Sequence, residues 1–468
     1  MNAVRGSPPH LTPDLAAQVK DLKSFNVAIA DIVPLLPAIK AFSKSVEGAE
    51  EHPYHTMMAL HPEHSFMLSL RNPTMDVTHL GGNANGAPQT SGVCPNTASK
   101  KEVFVVSDRG NIKLTPESFL QNADIVRPDF VSLLCEEGTV DGSNSRTEKV
   151  MRRNIEWVDA CLQKYNDVFD GAYKPFIFVP VEGGKFLDKR TRHARVMAYK
   201  GTEKWRVLAE PDANDAAAVK QYKERVLNEG VTVPRAADGF ILGGLASAES
   251  TEEMRNMILA SLKSLPADKP RMANVVGDPS EVIALVSSGI DLINTSYPML
   301  MTESGLALIA PITEEELDAT IAGKQKDENK TAESEEDVQA STLSLVVDHP
   351  ELDHQYLNLR NFKYREDARP IMKGCECYAC QHHTRAYINH LLNAHEMLAE
   401  VLLMMHNTHQ YGLLYAQLRE KITEGPAALE QYVAKANKVH VPHTKTLDMS
   451  GRKKVKPRDM REDEEEEN

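Results

Sequence analysis

Three cysteines stand within the six residues Cys375-Glu-Cys-Tyr-Ala-Cys380, and this cluster constrains the fold more than any other feature of the chain. The chain has only six cysteines in 468 residues, which does not resemble a disulfide framework and favours a reducing compartment. Three thiolates and one imidazole are a common closed, tetrahedral ligand set for structural Zn²⁺. We therefore predict one structural zinc ion per chain, held by Cys375, Cys377, Cys380 and a histidine.

The fourth ligand is one of the histidines that follow the cysteines, which are His382, His383, His390, His395, His406 and His409. The first two lie so close to Cys380 that closing the ring would be strained. A straight helix from Cys380 to His406 would span about 39 Å, whereas a ligand lies about 2 Å from zinc. If His406 is the ligand, the helix must reverse. We expect the break at Asn393-Ala-His395, because asparagine tolerates the left-handed conformation at a helix end.

The composition is that of an ordinary soluble protein, with 41% hydrophobic and 26% charged residues. No apolar run reaches membrane-spanning length, and the first residues do not form a secretory signal. The formal net charge is −14, but part of it lies in the polar segments 324–337 and 462–467, which are expected to be disordered. The folded body is nearer neutral, so acidity alone does not exclude an RNA ligand.

Short apolar strands alternate with helices from residue 102 onward. After a hairpin, the pattern predicts strands at 130–134, 175–181, 239–242, 272–276 and 291–295. Such alternation indicates parallel strands joined by helical crossovers. The number of units favours an α/β fold with a (β/α)₈ TIM-like barrel over an open doubly wound sheet. The zinc-binding helical subdomain is then an insertion near the C-terminus.

We divide the chain into five parts by composition and pattern. They are an N-terminal segment (1–23), a barrel core (24–320) with a mobile loop (81–100), an acidic, polar, linker-like loop (321–345), a zinc subdomain with the last barrel elements (346–440), and a disordered charged tail (441–468). No convincing strand precedes Ser7.

Glycines and carboxylates follow several of the predicted strands, at the face where barrels gather function. They lie in Cys135-Glu-Glu137, Glu182-Gly-Gly184, Gly243-Gly244 and Gly277-Asp278. Glycine lets a backbone approach a planar ligand such as a purine base, although tight turns alone also explain these glycines. The carboxylates could act as acids or bases, but helix capping is the more common role. No Walker loop and no G-x-G-x-x-G after a strand supports a nucleotide cofactor.

The C-terminal motifs point to a family. The cysteine cluster, His383-Thr-Arg-Ala-Tyr387 and Leu403-Met-Met-His-Asn407 together resemble the zinc-binding end of tRNA-guanine transglycosylases. These are zinc-containing (β/α)₈ proteins that exchange guanine for a modified base at the anticodon wobble position. The resemblance covers residues 8–420 and is weakest before residue 100. It implies that His406 is the fourth ligand, beside Cys375, Cys377 and Cys380. It also implies that a base slot survives in part, in Glu182, Gly183, Gly184, Gly243 and Gly244.

Departures from the family pattern bear on catalysis. The nucleophilic aspartate of catalytic members corresponds to Asn294, and an amide lacks the anionic oxygen that attacks the ribose carbon. The segment with the second catalytic aspartate is missing, where this chain has the polar loop 81–100. The base-reading aspartate corresponds to a position near Cys135. The family's first strands are not apparent before Ser7, so we expect either a shortened start or an incomplete gene model.

This combination resembles the accessory, non-catalytic subunit of the family's eukaryotic heterodimers. The resemblance implies pairing with a catalytic queuine tRNA-ribosyltransferase subunit, tRNA bound through the complex, and no glycosyl exchange by this chain alone. The supported reaction would replace guanine by queuine at wobble position 34 of tRNAs with GUN anticodons. The implied location is the cytoplasm, with peripheral association at the mitochondrial outer membrane.

Two other hypotheses stay open at this point. The first is a competent transglycosylase with relocated carboxylates, such as Glu136, Glu182 or Asp278. The second is a zinc-stabilised RNA- or base-binding module without a transglycosylase partner. Lys373, Arg385 and the basic run Arg452–Arg458 are candidate RNA contacts, although solvated surface explains them more simply.

Overall fold

The computed structural model describes residues 2–3, 8–19, 22–70, 102–107, 110–136, 143–169, 171, 173–199, 236–245, 248, 250–328 and 355–440. The predicted mobile loop 81–100, residue Glu137, the second part of the predicted linker (329–345) and the tail 441–468 lie outside these ranges.

The strands, in chain order, are β1 (Asn2–Ala3), β2 (Ser24–Ala28), β3 (Ser65–Ser69), β4 (Val103–Ser107), β5 (Gly110–Leu114), β6 (Phe130–Ser132), β7 (Phe176–Val181), β8 (Gly239–Leu242), β9 (Arg271–Asn274), β10 (Leu292–Asn294), β11 (Leu306–Leu308) and β12 (Tyr356–Asn358). Eight of them form one sheet in the order β1-β2-β3-β6-β7-β8-β9-β10, and β4 and β5 form the predicted hairpin.

All the ladders of the eight-stranded sheet are parallel, and each strand pairs with the next one in chain order. This is the order of a (β/α)₈ barrel. No ladder joins β10 to β1 among the described residues, so the barrel is nearly closed. The predicted α/β class and TIM-like barrel are therefore confirmed.

The first strand corrects the sequence analysis, which found no strand before Ser7. Asn2 and Ala3 pair in parallel with Asn26 and Val27 of β2. A two-residue strand is too short to show an alternating pattern, so periodicity could not reveal it. The N-terminal segment therefore contributes to the sheet of the barrel.

The helices, in chain order, are α1 (Pro13–Ala17), α2 (Ile29–Ile32), α3 (Leu36–Ser45), α4 (Pro53–Met57), α5 (Pro116–Val126), α6 (Asn144–Val168), α7 (Leu187–Tyr199), α8 (Thr251–Leu262), α9 (Pro279–Ser287), α10 (Tyr297–Glu303), α11 (Glu314–Glu328), α12 (Tyr378–His382), α13 (Arg385–Asn393), α14 (Met397–Glu424) and α15 (Pro426–Val439). No helix in the described part of the chain has the length and apolar composition needed to cross a bilayer.

The helix starts follow the capping rules that the sequence suggested. Thr115 caps α5 by accepting a hydrogen bond from the backbone N–H of Ser118 at 3.1 Å, and Pro116 occupies the first helical position. Helix α11 runs to Glu328, so the predicted linker 321–345 is helical as far as that residue.

One long helix, α14, contributes to three of the hydrophobic cores in the described part of the chain. Its Met404 and Met405 pack into the main core between the barrel strands and their helices. Its Leu402 and Leu403 pack into a separate core beside the cysteine cluster, and its Tyr411 belongs to a third core with α9, α10 and α15. We call residues 355–424, which hold the second of these cores, the C-terminal subdomain. Sharing α14 fixes this subdomain against the barrel.

Candidate metal centre and the carboxyl end of the barrel

The cysteines are placed by a tight turn and a short helix. Cys377 caps α12, and its sulfur accepts a hydrogen bond from the backbone N–H of Cys380 at 3.4 Å. Helix α13 then ends at Asn393 and α14 begins at Met397, so the chain reverses at the predicted break. The left-handed residue in this break is His395, with φ 58°, and not Asn393 as the sequence analysis assumed.

The reversal brings His406 back to the cysteines. The Sγ atoms of Cys375, Cys377 and Cys380 lie 3.8, 3.5 and 3.4 Å from Nδ1 of His406. In a regular tetrahedron with Zn–S of about 2.3 Å and Zn–N of about 2.0 Å, sulfur and nitrogen stand about 3.5 Å apart. All four ligand atoms lie within 4.8 Å of one another, and all four residues are buried. The structure thus brings the predicted ligands into one group that could hold a metal ion.

Hydrogen bonds outside the cluster fix the orientation of its ligands. Nε2 of His406 donates to the carbonyl oxygen of Leu308 at 2.8 Å, which leaves Nδ1 facing the thiols. Gln410 donates from Nε2 to the sulfur of Cys375 at 3.1 Å. Such outer partners orient metal ligands and raise their affinity for the ion. Sequence reasoning missed Leu308 and Gln410, because only the folded chain places β11 beside α14.

The thiols perturb each other's ionisation strongly. Hydrogen bonds from Cys377 and Cys380 lower the pKa of Cys375 well below its ordinary value, while contacts with Cys375 and Cys380 raise the pKa of Cys377. Burial lowers the pKa of His406, but the neighbouring Cys375 and Cys380 outweigh burial and raise it to about 9. Three thiolates this close repel one another, and a divalent cation between them offsets that repulsion.

At the carboxyl end of the barrel, the predicted base-slot glycines gather around one buried arginine, Arg190 of α7. Its Nε donates to the carbonyl oxygen of Gly184 at 2.6 Å, and its Nη2 donates to that of Gly243 at 2.9 Å. Gly244 has φ +67°, and a Cβ there would stand 3.2 Å from Oε2 of Glu182 and 3.3 Å from Nη2 of Arg190. The structure therefore brings the slot residues together. The sequence analysis did not single out the arginine that organises them.

The carboxylates near this face are engaged in structural contacts. Glu136 is buried and forms ion pairs with Arg146 at 3.0 Å and Arg153 at 2.6 Å. Burial raises the pKa of Glu136, and the two arginines offset this only in part. Asp278 caps α9 by accepting a hydrogen bond from the backbone N–H of Glu281 at 2.9 Å.

Glu182 lies at the end of β7 and is fully buried. Its Oε1 accepts a hydrogen bond from the thiol of Cys135 at 3.8 Å, and its backbone N–H donates to Nδ1 of His193 at 2.9 Å. This carboxylate is therefore enclosed by protein groups rather than exposed to solvent.

Asn294 ends β10, where its register partner is Asn274 of β9. Its Nδ2 donates to Oδ1 of Asn274 at 3.2 Å, and the side chain is 2% exposed. Its Oδ1 has no hydrogen-bond partner within the part of the chain that the structure describes. The position that the resemblance assigns to the nucleophile thus holds a buried amide beside a second amide.

Comparison with known proteins decides the family. The family model described as Queuine tRNA-ribosyltransferase matches residues 55–207 and 217–441, which include the four residues of the metal cluster. The chain belongs to the queuine tRNA-ribosyltransferase family. The predicted resemblance is therefore confirmed, and the barrel and the cysteine–histidine cluster can be interpreted as parts of this family's fold.

Relatives within the family share most of the chain's length. Queuine tRNA-ribosyltransferase accessory subunit 2 of Xenopus tropicalis is 28% identical over 424 residues, which cover 90% of this chain and 87% of the relative. The Homo sapiens protein of the same name is 31% identical over 345 residues, covering 70% and 71%. The Danio rerio protein of that name is 29% identical over 427 residues, covering 89% and 86%. The similarity extends over the barrel as well as the metal end.

Proposed function

We propose that this chain is the accessory, non-catalytic subunit of a queuine tRNA-ribosyltransferase heterodimer. In the complex, a catalytic partner subunit would exchange guanine for queuine at the wobble position of tRNAs with GUN anticodons. Relatives named for the accessory subunit cover most of the chain. The structural observation that carries the proposal is the amide of Asn294, buried where catalytic members have a nucleophilic carboxylate.

The contacts of the nearby carboxylates support the absence of chemistry in this chain. A nucleophile or general base must be able to reach the substrate. Glu136 instead forms ion pairs with two arginines, and Asp278 holds the first turn of α9. These contacts disfavour the hypothesis of relocated catalytic carboxylates. To act on a substrate, Glu136 would have to break its ion pairs, and Asp278 its helix-capping hydrogen bond.

We assign the ion of the metal cluster as Zn²⁺. The ligand set of three thiolates and one imidazole is typical of closed structural zinc sites, and it leaves no position for a reactive water. The role of the ion in this chain is to hold α12 against α14 and so to stabilise the C-terminal subdomain. Elemental analysis of the purified chain should find about one zinc ion per chain.

The proposed partners are the catalytic subunit, bound directly, and tRNA, bound through the complex. The proposed location is the cytoplasm, with peripheral association at the mitochondrial outer membrane. The described cysteines are all free thiols, which suits a reducing compartment. Cell fractionation tests the location. Recovery of the chain from a secretory compartment would contradict it.

The decisive experiment compares three samples: the chain alone, the catalytic subunit alone, and the two co-expressed. Each sample is incubated with tRNA and labelled queuine. We expect no incorporation by the chain alone and more incorporation by the complex than by the catalytic subunit alone. Incorporation by the isolated chain, or a trapped covalent tRNA adduct on it, would overturn the proposal. Failure to co-purify with the catalytic subunit would favour an RNA-binding module that acts without this partner.

A further inference from the structure

A large aromatic side chain stands in solvent on a turn of the C-terminal subdomain. The turn is a short 3₁₀ helix over Phe362–Tyr364, and Phe362 is 69% exposed. Its neighbours Lys363 and Arg365 are exposed, whereas Tyr364 is buried in the core of the subdomain. The buried Tyr364 therefore anchors the turn, while the side chains on either side of it are exposed to solvent.

The turn is held rigidly by side-chain hydrogen bonds. The side chain of Asn361 accepts from the backbone N–H of Lys363 at 3.0 Å. From α13, the buried Asn389 donates from Nδ2 to the carbonyl oxygens of Leu359 at 2.8 Å and Asn361 at 3.0 Å. Phe362 is thus presented by a fixed backbone, and a ligand that stacks on its ring would order little of the protein.

The immediate surroundings of Phe362 are cationic, although the whole chain carries a net charge of −14. Neither Lys363 nor Arg365 forms an ion pair with another described residue. The nearby Asp367 is bound by Arg369 at 2.7 Å and by Arg385 at 3.1 Å, and these hydrogen bonds lower its pKa well below its usual range. Asp367 is therefore ionised but neutralised. A second acid, the exposed Glu366, follows Arg365 directly, but residues 360–373 hold five lysines and arginines against two acids, so the segment keeps a net positive charge.

Arg385, which the sequence analysis considered as an RNA contact, is occupied elsewhere. Its guanidinium donates to the carbonyl oxygens of Pro370 at 3.0 Å and Ile371 at 2.8 Å, as well as to Asp367. It fastens the loop after the turn to the start of α13. Lys363 and Arg365 beside Phe362 have no acidic partner among the described residues, although the Nζ of Lys363 also lies 5.3 Å from the centroid of the Tyr364 ring.

We propose that Phe362, Lys363 and Arg365 form a contact surface for tRNA, which we call the aromatic-basic surface. The inference rests on the proposed function and adds the site where this chain touches the substrate of the complex. An exposed ring offers a stacking platform for an unpaired base, and cations beside it suit the phosphates of the same strand. Phenylalanine and arginine are also common in protein interfaces, where lysine is depleted. The excess of cations in residues 360–373 favours the polyanionic tRNA as the occupant, and the test below distinguishes it from a protein partner.

The test uses the full chain in complex with its catalytic subunit. The variants are Phe362→Ala and the double substitution Lys363→Gln with Arg365→Gln. Ile422→Ala, at a residue 52% exposed on α14, and Lys40→Gln, at an exposed position of α3, are the matched controls. The Kd for unmodified tRNA is measured by fluorescence anisotropy at several salt concentrations. Zinc content and native mass of the complex are recorded for every variant.

Loss of stacking should weaken tRNA binding by Phe362→Ala about 5- to 100-fold. The double substitution should weaken binding and lower the slope of log K against log salt by about 1.5, since each lost phosphate contact removes about 0.7–0.9. The controls should bind as the unaltered complex does.

Two outcomes would overturn the surface. An unchanged Kd in both variants would show that tRNA lies elsewhere. Dissociation of the heterodimer, with zinc retained, would show that the turn contacts the partner protein instead. If the unaltered chain forms no complex with a catalytic subunit, the proposed function fails. The same variants measured on the chain alone would then still test its RNA contact.

Discussion

His406 donates a hydrogen bond from Nε2 to the carbonyl oxygen of Leu308 at 2.8 Å, and so joins the metal cluster to strand β11. The next residue strengthens the connection, because Oδ1 of Asn407 accepts from the backbone N–H of the same leucine at 2.8 Å. A strand far away in sequence therefore sets the direction of the ligand nitrogen. Metal binding and the packing of α14 against β11 depend on each other.

Replacing His406 by alanine should remove the metal and destabilise the protein. The substitution deletes one of four ligands and leaves the buried carbonyl of Leu308 without its donor. We expect zinc content well below one ion per chain and a Tm lower by about 5 °C or more. Treating the unaltered protein with a strong chelator should lower its Tm similarly. His390→Ala, at an exposed position of α13, is the control and should keep both metal and Tm.

Asp278 should act through its cap and not through acid–base chemistry. Asparagine can accept the hydrogen bond from Glu281, whereas alanine cannot. We expect Asp278→Asn to leave queuine incorporation by the complex unchanged, and Asp278→Ala to lower the free energy of unfolding by about 1 kcal/mol. Urea denaturation and the incorporation assay measure the two effects. A complex that loses incorporation with Asp278→Asn at normal stability would restore the hypothesis of a relocated carboxylate.

Two glycines with similar backbone angles should respond differently to alanine. Gly48 has φ +78° and open space around an added Cβ, so Gly48→Ala should cost only the backbone strain, about 1 kcal/mol. Gly277 has φ +86°, and a Cβ there would stand 2.6 Å from Oγ1 of Thr295 and 2.8 Å from Oη of Tyr411.

Gly277→Ala should therefore lower the free energy of unfolding by more than about 2 kcal/mol, because crowding adds to the strain. Tyr411 also donates to the carbonyl oxygen of Gly277, so a shift of either group disturbs that bond. Urea denaturation of both variants gives the comparison. Equal losses in the two would show that the contacts around Gly277 relax freely.

Asp367 should contribute to stability only while it is ionised. Hydrogen bonds from Arg369 and Arg385 lower its pKa in the folded state below that in the unfolded chain. Its contribution is therefore present above the unfolded pKa of about 4 and is lost as the pH falls further. We expect Asp367→Asn to cost up to about 1 kcal/mol at pH 7, since the pair is partly screened.

The measurement is the difference in unfolding free energy between the unaltered protein and Asp367→Asn, obtained in urea from pH 7 down to about pH 3. The difference should stay constant at neutral pH and shrink below about pH 4. Metal release in acid affects both proteins alike. A difference that grows toward low pH would contradict the assignment.

The sequence predicted the barrel and the metal cluster well, because both leave local patterns. Alternating strands and helices indicated the parallel sheet, and the spacing of Cys375, Cys377 and Cys380 indicated the metal. The need to bring His406 back to the cysteines even placed the break in the helix. The predicted left-handed residue, Asn393, was wrong by two positions: α13 includes Asn393, and the left-handed conformation falls on His395 between the two helices.

What the sequence could not predict depends on contacts between distant segments. Strand β1 is too short to carry a pattern and exists because it pairs with β2. In the sequence, Arg190 resembles any charged residue of a helix. Its role depends on the fold, which places the carbonyl oxygens of Gly184 and Gly243 beside its guanidinium. The exposure of Phe362 could not be predicted from the sequence either. Phe362 and Tyr364 are both aromatic, and only the structure shows that Tyr364 is the one buried in the core.

Helix α14 extends without interruption from the cysteine–histidine cluster to the ends of β9 and β10, where Tyr411 contacts Gly277 and Thr295. Because α14 is one continuous helix of 28 residues, it contains no hinge between the metal cluster and the barrel. Heating should consequently melt the barrel and the C-terminal subdomain in a single calorimetric transition. A chain truncated before α14 would lose the side chains that cover this part of the barrel. We therefore expect the remaining barrel not to fold as an independent domain.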